Sequence, residues 1–344
     1  MDRVFIIAEA GVNHNGKLEL AERLVLAAAE AGADAVKFQT FNTAKLVSKS
    51  AESAAYQKEN CADSVSQFEL IKKLELKHSE FRTLRDFCGK TGIRFMTTPD
   101  EEESADFICG LVDVYKIGSG EVTNLPYLKH IARKGKPVIL STGMSTLGEV
   151  EKAVTAILGA FPKNMASSAF PPLTLLHCVT AYPAPPSDVN LRAMLTLKDA
   201  FSLPVGYSDH TEGVEIAAAA AALGATVIEK HFTLDKNMEG PDHKASLNPD
   251  ELKALVRAVR NVEKAMGSPL KRPSPSEIDT VALVRKSAVA ARDLKAGDIL
   301  AASDIVLKRP GYGVAPEDLD KIIGMRLVKG ADADTVITWE HLRG

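Results

Sequence analysis

Eight short apolar runs recur through the first two-thirds of the chain, and nearly all of them finish in polar or ionisable residues. They are Val4–Glu9, Ala35–Gln39, Ile93–Thr98, Val114–Ser119, Pro137–Thr142, Leu173–Cys178, Pro204–His210 and Thr226–His231. Segments with helical patterning separate them. Runs rich in Val, Ile and Phe and apolar on both faces suit parallel strands covered by crossover helices. Eight βα units in succession predict an α/β fold, a (β/α)8 TIM barrel, whose chemistry lies at the carboxyl ends of its strands. The polar run-ends therefore mark the face that carries the site.

A length of 344 residues leaves room for a barrel and one modest further module. Leu18, Ala21, Leu24, Val25 and Ala28 repeat with helical spacing and predict a first crossover helix over Leu18–Ala31, stopped by Gly32. Between the second and third runs lies a long insertion. Its second half, Ser66–Lys90, reads as helical, and Phe41–Asp63 reads as an excursion over the barrel mouth, so that Thr40–Asp63 is a candidate lid. After the eighth run, Asn248 suits an N-cap, Pro249 the first helical position and Gly267 the stop. The expected domains are a catalytic barrel over 1–267, a Pro-rich linker over 268–283 and a small β-rich module over 284–344. Within that module Ser287–Ala291, Ile305–Lys308 and Val336–Thr338 are strand-like. A module of about sixty residues is near the lower limit for independent folding and is expected to lean on the barrel or a second subunit.

A formal net charge of −3 speaks against nucleic acid or an anionic membrane as partner. Cys61, Cys88, Cys109 and Cys178 form no CxxC pair, which favours reduced thiols in the cytoplasm. Cys178 itself reads as a small buried hydrophobe. The chain enters a strand almost at once, without a leader pattern, and Ala217–Ala222 is too short to cross a bilayer.

Strand alternation sorts the polar residues. Lys37 with Gln39, Ser208 with His210, and Glu229 with His231 share inward parity; Lys230 is expected to point outward. Two imidazoles at the ends of neighbouring strands could hold one divalent cation, Mg²⁺ or Mn²⁺ with waters rather than a closed zinc site. The plainer reading is that each histidine hydrogen-bonds to its neighbours. Lys37 and Lys116 inside a barrel call for anions. The turns Gly118-Ser119-Gly120 and Ser141-Thr142-Gly143, with Thr97 and Thr98, add donors suited to phosphate. Glu9, Glu121, Asp209 and Asp242 surround this face as bases, proton shuttles or salt-bridge partners, the last being expected for at least half. Asn13-His14-Asn15-Gly16 is a helix-capping turn or a functional one. Together these features suggest carbonyl chemistry on a phosphorylated substrate.

The strings Ile7–Gly16, Val36–Thr40, Tyr115–Glu121, Leu140–Met144, Tyr207–Thr211, Glu229–Thr233 and Gly240–Asp242 resemble the sialic acid synthase family. Lys308–Gly313 resembles the signature of the antifreeze-like, or SAF, module that ends these enzymes. The resemblance implies condensation of phosphoenolpyruvate with an N-acetylmannosamine-type aldehyde sugar and water. N-acetylneuraminate, or its legionaminate analogue, and phosphate would form with cleavage of the C–O bond of phosphoenolpyruvate. It further implies that His210 and His231 bind a divalent metal ion, and that Lys37, Thr98, Lys116, Ser119, Ser141 and Ser208 contact phosphoenolpyruvate. Gln39, Tyr182 and Asp242 would contact the sugar, and Glu9 or Glu121 would move the proton. It also implies a domain-swapped homodimer in which Arg309 reaches the partner's sugar pocket.

Three positions depart from common family strings: Thr180 and Tyr312 stand where asparagine is frequent, and Asp100 where phenylalanine is frequent. Thr180 is nonetheless placed with the sugar contacts. The run Glu229–Met238 with Gly240–Ser246 also resembles bacterial legionaminate synthases, which use a 6-deoxy-2,4-diacetamido sugar. Alternatives are a pseudaminate or 9-phosphate synthase, a Schiff-base aldolase using Lys116, and a non-catalytic binding protein built around the SAF module.

Overall fold

A computed structural model describes residues 3–48, 51, 66–165 and 167–342, and the chain divides into two compact units, 1–267 and 268–344. The first unit contains β1 (Phe5–Gly11), β2 (Ala35–Thr40), β3 (Arg94–Pro99), β4 (Tyr115–Ile117), β5 (Val138–Ser141), β6 (Leu173–Cys178), β7 (Val205–Asp209) and β8 (Val227–His231). These strands pair in parallel in the order β3-β2-β1-β8-β7-β6-β5-β4. β3 and β4, at the ends of that order, also lie side by side, which brings the ring round.

Alternation along each strand builds two apolar layers. The outer one packs Ile6, Val36, Phe38, Phe95, Tyr207 and Ile228 against helical residues such as Leu24, Val25 and Ala28. The inner one is a plug of Ile7, Ala35, Met96, Val114, Ile139, Leu176 and Val227. Each fully buried Val, Leu, Ile, Phe or Met side chain of such a layer contributes about 1.5–3 kcal/mol. Two residues beyond each member of the plug, on the same face, stands Glu9, Lys37, Thr98, Lys116, Ser141, Cys178 or Glu229. The polar floor of the site therefore rests on an apolar plug, one pleat below. On β7 the plug position is Gly206, where a Cβ would come within 2.3 Å of the Val227 carbonyl oxygen; only glycine lets β7 and β8 approach this closely.

The first crossover helix spans Leu18–Ala31 and ends at Gly32, whose φ of 82° is in the left-handed region. The helix Pro249–Met266 begins as its capping residues dictate: Glu251 N donates to Asn248 Oδ1 (2.9 Å) and Asn248 N to Glu251 Oε2 (2.8 Å). The stretch Ser66–Lys90 is two helices rather than one, Gln67–Leu74 and His78–Thr91. At the break, Glu75 Oε2 accepts from Thr43 N (3.0 Å) and Thr43 Oγ1 (2.7 Å), tying the chain to the one-turn helix Thr43–Leu46. Most of the candidate lid Thr40–Asp63 lies outside the described residues.

The second unit pairs β9 (Ser287–Ala290) with β10 (Ile305–Lys308) in antiparallel fashion, and Val336 bridges to Val289. It has its own core, including Ala288, Leu294, Leu300, Val314, Ile322 and Ile337. The segment expected to be linker through 283 is instead helical over Ile278–Val284. The prolines end at Pro275, and Ser274 N donates to Glu277 Oε2 (2.7 Å) just ahead of that helix. Among the described residues no helix is long and apolar enough to cross a membrane.

The turn after β1 is a structural tie. Asn13 Nδ2 donates to the Phe232 carbonyl (2.8 Å) and to Ser246 Oγ (3.0 Å). His243 sits between Thr233 Oγ1 (2.6 Å) and Asn15 Oδ1 (3.1 Å). Burial pushes both His14 and His243 down to about 4, His243 adding to the effect on His14. Because the folded values lie below the ordinary 6.5, the unfolded chain binds more protons between the two. Stability is complete above the unfolded value and is lost as pH falls through the window to about 4. On going from pH 7 to pH 4, the melting temperature of a His243→Gln variant should therefore lose less than that of the wild type, because the variant lacks one of the two groups; parallel profiles would refute the neutral assignment of His243.

Candidate active site

At the carboxyl ends of the strands, Lys37 Nζ lies 2.7 Å from Glu9 Oε2 and 3.7 Å from Glu229 Oε2, and donates to Thr98 Oγ1 (2.8 Å). Lys116 Nζ lies 3.2 Å from Glu229 Oε1 and donates to Ser141 Oγ (2.9 Å). Ser208 Oγ donates to the same Glu229 oxygen (3.0 Å). All seven residues are buried. Two ammoniums and two carboxylates thus balance one another in a cavity of about 190 Å³.

Burial lifts Glu9 to about 7 against the pull of Lys37, with Glu229 adding to the rise. Burial also works to raise Glu229, but Lys116 and Lys37 outweigh it and hold that carboxyl at about 2. Lys37 is raised: burial opposes its charge, and Glu229 and Glu9 more than restore it. Glu229 is therefore the fixed anion of the cluster and Glu9 the one near its titration point.

His210 follows β7 and His231 closes β8, with ring centroids 5.4 Å apart. His210 Nδ1 donates to the Val179 carbonyl (2.6 Å), which leaves Nε2 as the basic nitrogen. Burial, with the charge of His210 and Lys37, holds His231 well below its ordinary value, so its ring is neutral, and its buried Nδ1 has no hydrogen-bond partner. Tyr182 lies over His210 at 4.2 Å and edge-on to His231 at 5.7 Å. Gln39, Ser119, Thr180 and Tyr182 line the same cavity. Ser119 Oγ accepts from Gly143 N (2.9 Å), and a Cβ on Gly143 would lie 2.4 Å from Thr180 Oγ1, so this turn needs glycine. Asp242 lines an adjoining cavity of about 140 Å³. Burial lifts Asp242 to about 6 against the charge of His210.

With this geometry in view, residues 24–271 match the NeuB family and residues 285–343 match the SAF domain. The chain belongs to the NeuB family. It is 49% identical over 339 residues to an N,N'-diacetyllegionaminic acid synthase of Legionella pneumophila, covering 98% of this chain and 94% of that protein. It is 37% identical to the human N-acetylneuraminate-9-phosphate synthase, covering 98% and 92%. A crystal structure of the N-acetylneuraminic acid synthetase of Leptospira borgpetersenii, in complex with citrate, is similar with a TM-score of 0.71 and 36% identity, covering 81% of this chain and 90% of that one.

Within this NeuB-family barrel several residues sit otherwise than the sequence suggested. Asp209 does not face the site: its Oδ2 lies 2.6 Å from Lys230 Nζ, on the outward parity of β7 and β8. Glu121 is not among the side chains lining either cavity; it is half-buried in the turn Ser119–Glu121, where Asn124 Nδ2 donates to its Oε2 (2.7 Å). Its charge is still felt at Asp100, which it helps to raise. Cys178 is more than packing, since it lines the cavity with its Sγ 3.7 Å from His210 Nδ1. Glu229, absent from the candidate residues, is the hub of the ion cluster; its inward parity with His231 was the available signal. Asp100, singled out only as a departure from family strings, lines both cavities. Arg309 belongs to the second unit and is exposed after β10.

Proposed function

We propose that this NeuB-family chain is a nonulosonic acid synthase, joining phosphoenolpyruvate to an N-acetylated amino sugar in its aldehyde form, with water, to give a 2-keto acid and phosphate. The observation that carries the reading is the paired cluster of Lys37 and Lys116 with Thr98, Ser141 and Ser208, set beside two neutral-capable imidazoles. An incoming phosphate and carboxylate find two ammoniums and three hydroxyls already oriented by hydrogen bonds, so little reorganisation is needed. Ser119, at the mouth of the same cavity, extends the donor set. The sugar end falls to Gln39, Thr180, Tyr182 and Asp242.

C3 of phosphoenolpyruvate forms the new carbon–carbon bond to the aldehyde, water adds at C2, and phosphate leaves with cleavage of the C2–O bond. Proton transfer falls to Glu9 or Glu121. Glu9, lifted to about 7 by burial, is in the range for exchange near neutral pH. Among the described residues no group of three or more His, Cys, Asp and Glu is placed to hold a metal. His210 Nε2 and the unpartnered nitrogen of His231 do fit a divalent ion with two protein ligands and several waters, Mn²⁺ or Mg²⁺. When bound, such an ion supplies Lewis-acid stabilisation of the oxygen that becomes an alkoxide.

We further propose that the chain works as a homodimer in the cytoplasm. Leu270, Leu283 and Tyr312 of the second unit are 63–67% exposed in the single chain, apolar surface that a partner would cover in such a dimer. Arg309 offers planar donors to an acetamido carbonyl in the partner's pocket, and the free thiols Cys88, Cys109 and Cys178 suit a reducing compartment.

The test is sugar-dependent phosphate release from phosphoenolpyruvate. Chelation should abolish it and Mn²⁺ restore it, and His210→Ala and His231→Ala should each lower it at least ~100-fold at fixed metal, consistent with loss of metal-ion stabilisation. Full activity after chelation, with borohydride trapping of Lys116 in the presence of substrate, would favour the aldolase reading instead.

A further inference from the structure

Between β8 and the helix Pro249–Met266 the chain forms neither strand nor helix. Main-chain bonds close the base of this loop, from Thr233 N to the Leu247 carbonyl (2.8 Å) and from Leu247 N to the His231 carbonyl (2.9 Å). Further out, the bonds from Met238 N to the Asp235 carbonyl (3.3 Å) and from Ser246 N to the His243 carbonyl (3.2 Å) are both long. Such a backbone does little to fix the tip, which carries Asp242 into the cavity beside His231. Asp242 is half-buried, and a carboxylate gains by swinging out to water. Its place in the site therefore needs an anchor.

The turn after β1 supplies one. Asn15 Nδ2 donates to the Glu239 carbonyl (2.9 Å), and Asn15 Oδ1 lies 3.1 Å from His243 Nε2. Because that oxygen can only accept, His243 carries its proton on Nε2, and its Nδ1 accepts from Thr233 Oγ1 (2.6 Å). Asn13 Nδ2 donates to Ser246 Oγ (3.0 Å), which in turn donates to the carbonyl of Asp242 itself (2.6 Å). Asp242 is thus bracketed by ties at Glu239, at His243 and on its own carbonyl. A Cβ on Gly240 would lie 2.6 Å from His243 Cδ2 and 2.9 Å from Asn15 Oδ1, so the loop closes tightly on this pair. The turn is itself firm: Asn13 N, Asn15 N and Lys17 N donate to the carbonyls of Ala10, Val12 and His14, each at 2.9 Å.

We infer that Asn13 and Asn15, with His243 and Ser246, are positioning residues that hold Asp242 in the site from the end of β1. None of these side chains lines either cavity, so they act through Asp242 and not by touching substrate. β1 also carries Glu9 into the ion cluster. One strand and its turn thereby set the spacing between a carboxylate of the ion cluster and one of the adjoining cavity. The inference rests on the reading in which Asp242 meets the acceptor, and it assigns the anchor of that group, not the contact.

The test is a double-mutant cycle on phosphate release from phosphoenolpyruvate with Mn²⁺, offering N-acetylmannosamine and the 6-deoxy-2,4-diacetamido sugar. Its variants are Asn15→Gly, Asn15→Asp, Ser246→Ala, Asp242→Ala and Asn15→Gly combined with Asp242→Ala. Asn15 has a φ of 50°, which glycine adopts freely, so Asn15→Gly keeps the turn and loses only the side-chain bonds. It should lower kcat/KM for the sugar roughly 10- to 100-fold, the scale for a displaced group, with the KM for phosphoenolpyruvate within about twofold of wild type. Ser246→Ala should act in the same direction. Asn15→Asp keeps the acceptor for His243 and should recover part of the loss. In the Asp242→Ala background Asn15→Gly should add little, since both changes act at one group. Additive losses, or unchanged sugar kinetics in Asn15→Gly and Ser246→Ala, would overturn the positioning role and leave the reaction standing. Should Asn15→Gly not fold, the same cycle run with Ser246→Ala decides. Unchanged sugar kinetics in Asp242→Ala would remove the role of Asp242 and its anchor together. No phosphate release with either sugar would instead remove the synthase reading, and the anchor's role with it.

Discussion

Replacing Lys116 with Met should lower kcat/KM for phosphoenolpyruvate about 10³-fold, the scale for deleting one preorganised charged donor in a water-poor site. Lys116 is buried in the middle of the three-residue strand β4, with Glu229 at 3.2 Å and Ser141 at 2.9 Å. It does two things at once. On the proposed reaction it presents a cation to the anionic substrate, and it holds Glu229 ionised against burial, which acts to raise that carboxyl. Without it, Glu229 keeps the Ser208 hydrogen bond and only the longer ion pair to Lys37 at 3.7 Å, and the cluster gains a net negative charge where substrate phosphate should dock. Lys116→Arg preserves charge but not the compact point geometry that fits between Ser141 and Glu229, so only partial recovery is expected. Ser141→Ala should cost far less, about tenfold, because the ammonium remains. Steady-state kinetics with varied phosphoenolpyruvate at saturating sugar separates the three. A Lys116→Met enzyme within tenfold of wild type would mean that the substrate anion docks elsewhere.

The barrel could be read from the chain because each strand carries its own evidence. A run such as Ala35-Val36-Lys37-Phe38-Gln39 states both its strand character and, through alternation, which side chains face inward. The same parity predicted that Lys230 turns away from the site, where it meets Asp209. Helix ends marked by Gly32, Asn248, Pro249 and Gly267 were equally local. What local reading could not supply was the third dimension of charge. Glu229 shares parity with His231, yet its role as common counter-ion to Lys37 and Lys116 depends on residues from three separate strands. Asp209 seemed a site carboxylate because it sits between Ser208 and His210, although adjacent residues on a strand face opposite ways. Asp100 carried no motif of its own; its significance is the junction of two cavities, one of which is walled by residues from the insertion after β2. The break between Gln67–Leu74 and His78–Thr91 was hidden for the same reason, since the contact from Glu75 to Thr43 that accompanies it is tertiary.

Asp209→Ala should be the most destabilising single change behind the site, costing about 3–5 kcal/mol, or on the order of 10 °C in the melting temperature of the barrel unit. Asp209 and Lys230 are both buried, with Nζ 2.6 Å from Oδ2. Lys230 also donates to the Thr211 carbonyl (2.6 Å), and Asp209 Oδ1 accepts from Thr211 N (2.9 Å) and Thr211 Oγ1 (2.8 Å). The two partners are not equivalent. Removing the carboxylate leaves an ammonium with one carbonyl and strips Thr211 of its acceptor. Lys230→Met leaves a carboxylate that still accepts two bonds from Thr211, so its loss should be smaller. Burial already lowers Lys230, and without Asp209 it should shed its proton rather than stay charged. The pair of changes Asp209→Leu with Lys230→Met should recover part of the stability, because two buried charges leave together. Thermal unfolding of all three variants decides the matter: equal losses for the two single changes would show that the Thr211 bonds contribute little. The location gives the clasp a second consequence. Asp209 immediately precedes His210 and Lys230 immediately precedes His231, so an outward ion pair joins the two strand ends whose next residues are the inward imidazoles. Loosening it should let the 5.4 Å spacing of those rings vary; on the proposed metal role, Asp209→Ala should therefore raise the Mn²⁺ concentration needed for half-maximal activity as well as lower the melting temperature.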